Sequence, residues 1–240
     1  MKIFFCDLDG TLLRSDRTIS AETKKAIDAF VEAGNCFVIS TGRALSSALI
    51  LRDRYGLTYP GSYLSAFNGA ILYDNTNECI LHQTGLPLEI VEELAALADQ
   101  YGLHIQSYRE PYIVSRSYCD DLAYYMMKTS MPCIIDPDFI RELDPFPPKV
   151  LAIDIHHPER LYPMRDEVMR RFPDQIDVVF SEPSFCEFIS KSAGKGKSLR
   201  KLCDILQVPL ENSLAAGDDE NDIPMILEAG TGIRSEEHTS

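Results

Sequence analysis

The chain has no Cys-x-x-Cys pair and no histidines at metal-ligand spacing. Its seven cysteines, Cys6, Cys36, Cys79, Cys119, Cys133, Cys186 and Cys203, are scattered, odd in number and without a Cys-x-x-Cys pair. That excludes a disulfide framework and a thiolate zinc site, and leaves reduced thiols, several at core positions. The five histidines also lack ligand spacing, and His156-His157 reads as a solvated pair after a strand. Cations are scarce as well: 23 Lys and Arg face 37 Asp and Glu, for a formal charge of -14. Such a surface is wrong for nucleic acid. It also means that an anionic substrate depends on cations placed locally, because the mean field repels it. No apolar run approaches a membrane span, and no leader pattern precedes Met1-Lys2, so no membrane partner is expected and cytoplasmic residence is. With 240 residues and 45% apolar content, one large or two modest soluble domains are expected.

What is present is organised around Asp7-Leu8-Asp9-Gly10-Thr11-Leu12, directly after the apolar run Ile3-Phe4-Phe5-Cys6. The run is short, β-branched and aromatic, which predicts a buried strand of a parallel sheet ending in a loop. Ligands of such sheets bind beyond the carboxyl ends of the strands, where Asp7 and Asp9 emerge. One carboxylate can attack an electrophile while the other moves protons, and a divalent cation can hold both. On these residues alone, an ordinary Asp-x-Asp-Gly surface turn stands level with that reading.

The pattern then repeats. Ser20 caps a helix over Ala21 to Ala33 that Gly34 stops, and Cys36 to Ile39 predicts a second buried strand running into Ser40-Thr41-Gly42-Arg43. A hydroxyl, a glycine and an arginine before a helix suit a phosphate; helix capping by Thr41 is the commoner use of threonine there. Tyr63 to Phe67 is a third strand, ending in Asn68-Gly69-Ala70, with a hairpin after it. Residues 84 to 184 mix hairpins, helices and a proline-rich passage, which predicts an inserted α+β domain. The alternation returns at Lys191 to Ser198. Gly196-Lys197-Ser198 fails as a P-loop because Lys191 stands where its first glycine should be, so the loop presents a lysine instead, Lys195 first and Lys197 second. A strand over Ser213 to Ala216 then opens on Gly217-Asp218-Asp219-Glu220-Asn221-Asp222. Carboxylates this dense repel one another in a dry site, so they mark either a metal site or an exposed capping turn. An all-oxygen set that keeps waters and meets phosphate suits Mg²⁺ better than Ca²⁺, and EF-hand spacing is missing.

These four stretches, in this order, resemble the four motifs of the haloacid dehalogenase superfamily. The Asn68-Gly69-Ala70 turn and the position of the insert are similar to its Cof-type phosphatases with an α/β cap of type IIB. The resemblance implies a doubly wound, Rossmann-like parallel-sheet α/β core at 1-83 and 185-233, and a mobile cap at 84-184 that closes over a small phosphorylated metabolite. It implies Asp7 as nucleophile and Asp9 as the acid and base. Mg²⁺ would be held by Asp7, the Asp9 carbonyl and Asp218. Thr41, Gly42, Arg43, Lys195 and Asn221 would serve the phosphate or substrate, with Asp222 orienting Lys195. An acid at Asp9 favours phosphatase over dehalogenase chemistry, since only the former leaves an alcohol oxygen to protonate.

The implied activity is Mg²⁺-dependent hydrolysis of small phosphomonoesters through an aspartyl-phosphate, with sugar phosphates ranked first and nucleotide or cofactor phosphates second. A phosphomutase on the same scaffold and a non-catalytic metal or phosphate binder are the alternatives. On the cap, Tyr108, Arg109 and Tyr112 are substrate candidates, although ordinary strand roles are the stronger reading. Residues 234-240 resemble the translation of a sequencing-adapter start and are set aside from the fold. The chain is then expected to stop short of a fifth core strand, leaving the strand that carries Asp218 as an exposed sheet edge.

Overall fold

The computed structural model describes residues 1–235. In chain order its elements are β1 (Ile3–Asp7), α1 (Ala21–Glu32), β2 (Cys36–Ser40), α2 (Leu45–Arg54), β3 (Tyr63–Ala66), β4 (Ile71–Asp74) and β5 (Cys79–Gln83). Next come α3 (Leu88–Tyr101), β6 (His104–Arg109), β7 (Tyr112–Ser115), α4 (Asp120–Thr129), β8 (Cys133–Ile135), β9 (Lys149–Ile153), α5 (Leu161–Arg171), β10 (Ile176–Glu182) and β11 (Phe185–Ser190). The last are α6 (Lys195–Leu206), β12 (Ser213–Gly217), α7 (Ile223–Glu228) and β13 (Thr231–Arg234). The chain divides into two compact units: Met1–Gln83 together with the residues from Ala193 onward, and Thr84–Ser192.

The first unit is the doubly wound α/β fold. Its seven-stranded sheet runs β13-β12-β1-β2-β3-β4-β5, parallel from β13 to β3 and antiparallel beyond. Strands buried on both faces read as continuous apolar runs, and β1 and β2 do. On one face Ile3, Phe5, Val38 and Ala215 pack with Leu199 and Leu202 of α6 and Met225 of α7. On the other, Phe4 meets Phe30 of α1 and Phe37 edge-on, with ring centres 5.9 and 5.8 Å apart. Because β1 lies between β2 and β12, the connections leave it in opposite directions, which opens a crevice at the carboxyl ends of these strands. Asp7, Ser40 and Gly217 are the last residues of β1, β2 and β12.

β13 corrects the expectation of an exposed edge. It pairs in parallel with β12, Leu214 opposite Thr231 through Gly217 opposite Arg234, and the Ser235 amide donates to the Gly217 carbonyl at 2.9 Å. Arg234 and Ser235, set aside as tail, therefore complete the ladder beside the acidic loop. The remainder of that segment, 236–240, lies outside the described residues.

The second unit is an α+β layer whose six-stranded sheet runs β10-β11-β9-β6-β7-β8, antiparallel except between β7 and β8. β11 pairs with β9 and β10 within this sheet, so residues 185 to 190 belong to the insert and not, as the sequence suggests, to the core. Its buried, alternation-free run looks like a core strand, but both its neighbours belong to the insert. β8 was hidden between Pro132 and Pro137. Helices α3 and α5 cover one face through Leu94, Leu97, Met164 and Val168 over Ile105, Val150 and Phe188. The opposite face buries an ion pair: Lys149 Nζ lies 3.0 Å from Glu187 Oε1, which also accepts from Ser181 at 2.8 Å. Both partners are buried, so each needs the other. Lys149→Met alone should destabilise the protein by about 3 kcal/mol, whereas Lys149→Met combined with Glu187→Leu should recover most of that loss, because only the single variant strands a buried charge. Urea unfolding of the set checks this, and additive losses would contradict it.

Candidate active site

Everything in the site described here belongs to the first unit. The loop after β1 turns sharply, with the Leu12 amide donating back to the Asp7 carbonyl at 3.1 Å and Leu13 to Leu8 at 2.7 Å. Gly10 makes the turn possible. Its φ is +89°, and a Cβ there would sit 2.4 Å from Asp218 Oδ2. The β1 and β12 loops thus touch at a residue with no side chain. Thr11 secures the contact by donating its hydroxyl to Asp218 Oδ1 at 2.6 Å.

Lys195, the first residue of α6, is 1% exposed and reaches both acidic loops. Its Nζ donates to Asp7 Oδ1 at 2.6 Å and to Asp222 Oδ1 at 2.5 Å. Asp222 Oδ2 accepts the amides of Asp218 and Asp219 at 3.1 and 3.2 Å, so both its oxygens are committed to holding Lys195 and the loop. Burial pushes the Lys195 ammonium down, but the two carboxylates outweigh it and the net direction is upward, towards a fixed cation. Asp7 moves up from the usual carboxylate range. Burial is the main cause, and Asp222 and Asp218 add to it against the opposing pull of Lys195. Burial and the same acids push the Cys6 thiol up too, which makes it an inert core residue.

Oxygens of Asp7, Asp218 and Asp222 lie within 4.8 Å of one another. One ammonium does not balance three carboxylates. A hard divalent cation fits this all-oxygen set. Asp222 spends both its oxygens on Lys195 and its own loop, whereas Asp7 and Asp218 each engage one side-chain donor, Lys195 and Thr11.

The β2 loop supplies the other side. α2 begins only at Leu45, capped from Ala44, so Thr41 is not its cap. Thr41 is buried, its amide donates to Ser65 O at 2.8 Å, and its hydroxyl accepts the Arg43 amide at 3.2 Å. Arg43 does not point away from the site as a surface charge would. It forms a fork on Asp9, Nε to Oδ2 at 2.6 Å and Nη2 to Oδ1 at 2.8 Å.

Asn68, which the sequence does not mark as a site residue, is central to this loop cluster. Phe67, Asn68 and Gly69 all have positive φ, at 50, 54 and 89°. Non-glycine residues rarely adopt such angles, and runs of them persist only where the surroundings fix them. Here the Phe67 amide donates to Arg43 O and the Asn68 amide to Thr41 O, at 2.8 and 3.0 Å. The Asn68 side chain lies over Gly42 and accepts from Asn221 Nδ2 at 3.1 Å. The turn thereby ties the Thr41-Gly42-Arg43 loop to the acidic loop. The available signal was Asn-Gly at a strand end, which fits many ordinary turns as well. In the second unit, Tyr108 is buried and hydrogen-bonded to Tyr125 at 2.6 Å, and Arg109 pairs with Glu142 at 2.8 Å.

Comparison with known proteins agrees with this geometry. The sequence profile described as haloacid dehalogenase-like hydrolase matches residues 4–235. The 5-amino-6-(5-phospho-D-ribitylamino)uracil phosphatase YitU of Bacillus subtilis is 30% identical over 233 residues, covering 95% of this chain and 83% of that protein. A haloacid dehalogenase-like hydrolase from Bacteroides thetaiotaomicron superposes with a TM-score of 0.88 at 26% identity, over 98% of this chain and 88% of the other. The fold is shared with a subclass IIB sugar phosphatase at a TM-score of 0.77 and 21% identity, over 98% and 87% of the two chains. Together with the four motif loops gathered at one end of the sheet, these matches place the chain in its family: it belongs to the haloacid dehalogenase-like hydrolases, as one of their phosphatases.

Proposed function

We propose that this enzyme hydrolyses small phosphomonoesters, with phosphorylated sugars or sugar alcohols as the substrate class, through an aspartyl-phosphate on Asp7. The observation that carries this reading is the buried Lys195 set between Asp7 and Asp222 beside Asp218, facing a loop of Thr41, Gly42 and Arg43. An isolated negative patch would repel phosphate, whereas here cations and amide donors are built in. The relative YitU is named for a phosphorylated ribityl compound, which supports a polyol phosphate.

In the first step an Asp7 carboxylate oxygen attacks phosphorus, the ester P–O bond breaks, and the alcohol oxygen leaves with a proton from Asp9. In the second, Asp9 takes a proton from water, the hydroxide attacks phosphorus, and the Asp7–O–P linkage breaks to release inorganic phosphate. Thr41, Lys195 and the amides near Gly42 hold the equatorial oxygens, whose charge must be met in both steps. Asn221 and Asn68 keep the two loops in register, and Asp222 keeps Lys195 aimed. Mg²⁺, with Asp7, Asp218 and the Asp9 carbonyl as its protein ligands, would neutralise charge on the transferring group when bound.

Release of phosphate from an aryl phosphate should require Mg²⁺, stop with chelator, and fall by about 10³-fold or more in Asp7→Asn, as expected for a lost nucleophile. Turnover retained in that variant would refute the assignment. Lys195→Met should destabilise the metal-free enzyme by about 3 kcal/mol, because it leaves two buried carboxylates without their cation. Added Mg²⁺ should restore part of this in thermal melts, and an unchanged melting temperature would show that the pair does not brace the site.

A further inference from the structure

Asp9 and Arg43 both carry roles in the proposed reaction, yet the structure joins them to each other. The fork uses both carboxylate oxygens, at 2.6 and 2.8 Å. With both oxygens taken up by the guanidinium, Asp9 has neither one available to a leaving-group oxygen or to a water. Arg43 in turn presents its Nε–Nη2 edge to Asp9, one of the two edges through which a guanidinium can meet two phosphoryl oxygens. Asp9 cannot serve a leaving group while the pair is closed. Nor is the pair locked: side-chain exposure is 29% for Arg43 and 49% for Asp9, so either can change partner without leaving a buried charge behind. Lys195 and Asp222 form the contrasting case, sealed and fixed.

We propose that Arg43 exchanges partners during the reaction, releasing the Asp9 carboxylate when a phosphoryl group takes its place in the guanidinium fork. Substrate binding then frees Asp9, open to solvent, to take up a proton from water and pass it to the leaving oxygen, and an empty site keeps Asp9 tied down. The exchange costs binding affinity, because phosphate must displace a carboxylate already seated on Arg43. This inference rests on the reading of Asp9 as the proton-transfer residue, and its test is independent of turnover.

The test is calorimetric titration of inorganic phosphate, with Mg²⁺ present, into the native enzyme, Asp9→Asn, Arg43→Ala and the double variant. Removing the Asp9 charge eases phosphate binding everywhere by simple electrostatics, so the informative quantity is the difference between backgrounds. Asp9→Asn should tighten phosphate binding about three- to tenfold more when Arg43 is present than when it is Ala, the size expected for a partly exposed bidentate pair. Arg43→Lys keeps the charge but not the fork, and should show an intermediate gain from Asp9→Asn. Equal gains in both backgrounds would overturn the exchange, as would phosphate affinity indifferent to Arg43→Ala or phosphate binding to none of the four proteins. Failure of the phosphatase reading looks different: phosphate binding would show the coupling while the native enzyme released no phosphate from any phosphomonoester.

Discussion

One buried ammonium holds the site together. Lys195 comes from the start of α6, and its partners come from the ends of two other segments: Asp7 from β1 and Asp222 from the loop after β12. Removing a lysine from water is costly, and only close, well-bonded carboxylates offset it. The pairing therefore fixes where the three segments stand relative to one another. Asp222 extends the constraint by accepting two amides of its own loop, which presents Asp218 towards Asp7 and Thr11. The result is a net acidic cluster that is rigid before any ligand arrives. Preorganised charge of this kind lowers a reaction barrier without reorganisation cost at the moment of reaction.

Around that fixed centre the groups differ in mobility, and the division follows burial. Thr41, Asn68 and Lys195 are buried and hydrogen-bonded across loops, whereas Asp9 and Arg43 are half-exposed and paired with each other. In the proposed reaction, the groups that would hold the phosphoryl are the anchored ones. Those that would transfer a proton or change partner are left where water can solvate them in passing. The strained Phe67-Asn68-Gly69 turn belongs to the anchored set, its left-handed backbone imposed by bonds to Thr41 and Arg43.

Much of this was legible in the order of residues because the site is built at strand ends. A buried strand announces itself as an apolar run, and the polar residues just after it stand at the crevice, so Asp7, Thr41 and Asp218 could be located one strand at a time. Lys195 was chosen over Lys197 by its place in a glycine-flanked loop. Asn68 escaped because its contribution lies in backbone angles and in a partner, Asn221, far along the chain. The Asp9–Arg43 fork escaped for a related reason: each residue had a ligand role that accounted for it, and pairing depends on rotamers that no spacing encodes. The strand errors are physical too. β11 is a well-formed buried strand whose sheet depends on β9 and β10, and β13 is a short exposed strand after Gly230 with little apolar content to mark it.

The central claim is that Asp7 becomes covalently phosphorylated. The most direct measurement is acid quenching within a single turnover of excess enzyme with a fast-reacting phosphomonoester, followed by mass spectrometry of the peptide containing Asp7. A phosphoryl adduct on Asp7 that forms before inorganic phosphate appears and decays as it accumulates is the predicted result. Phosphate released with no adduct at any time, or an adduct on another residue, would contradict the account.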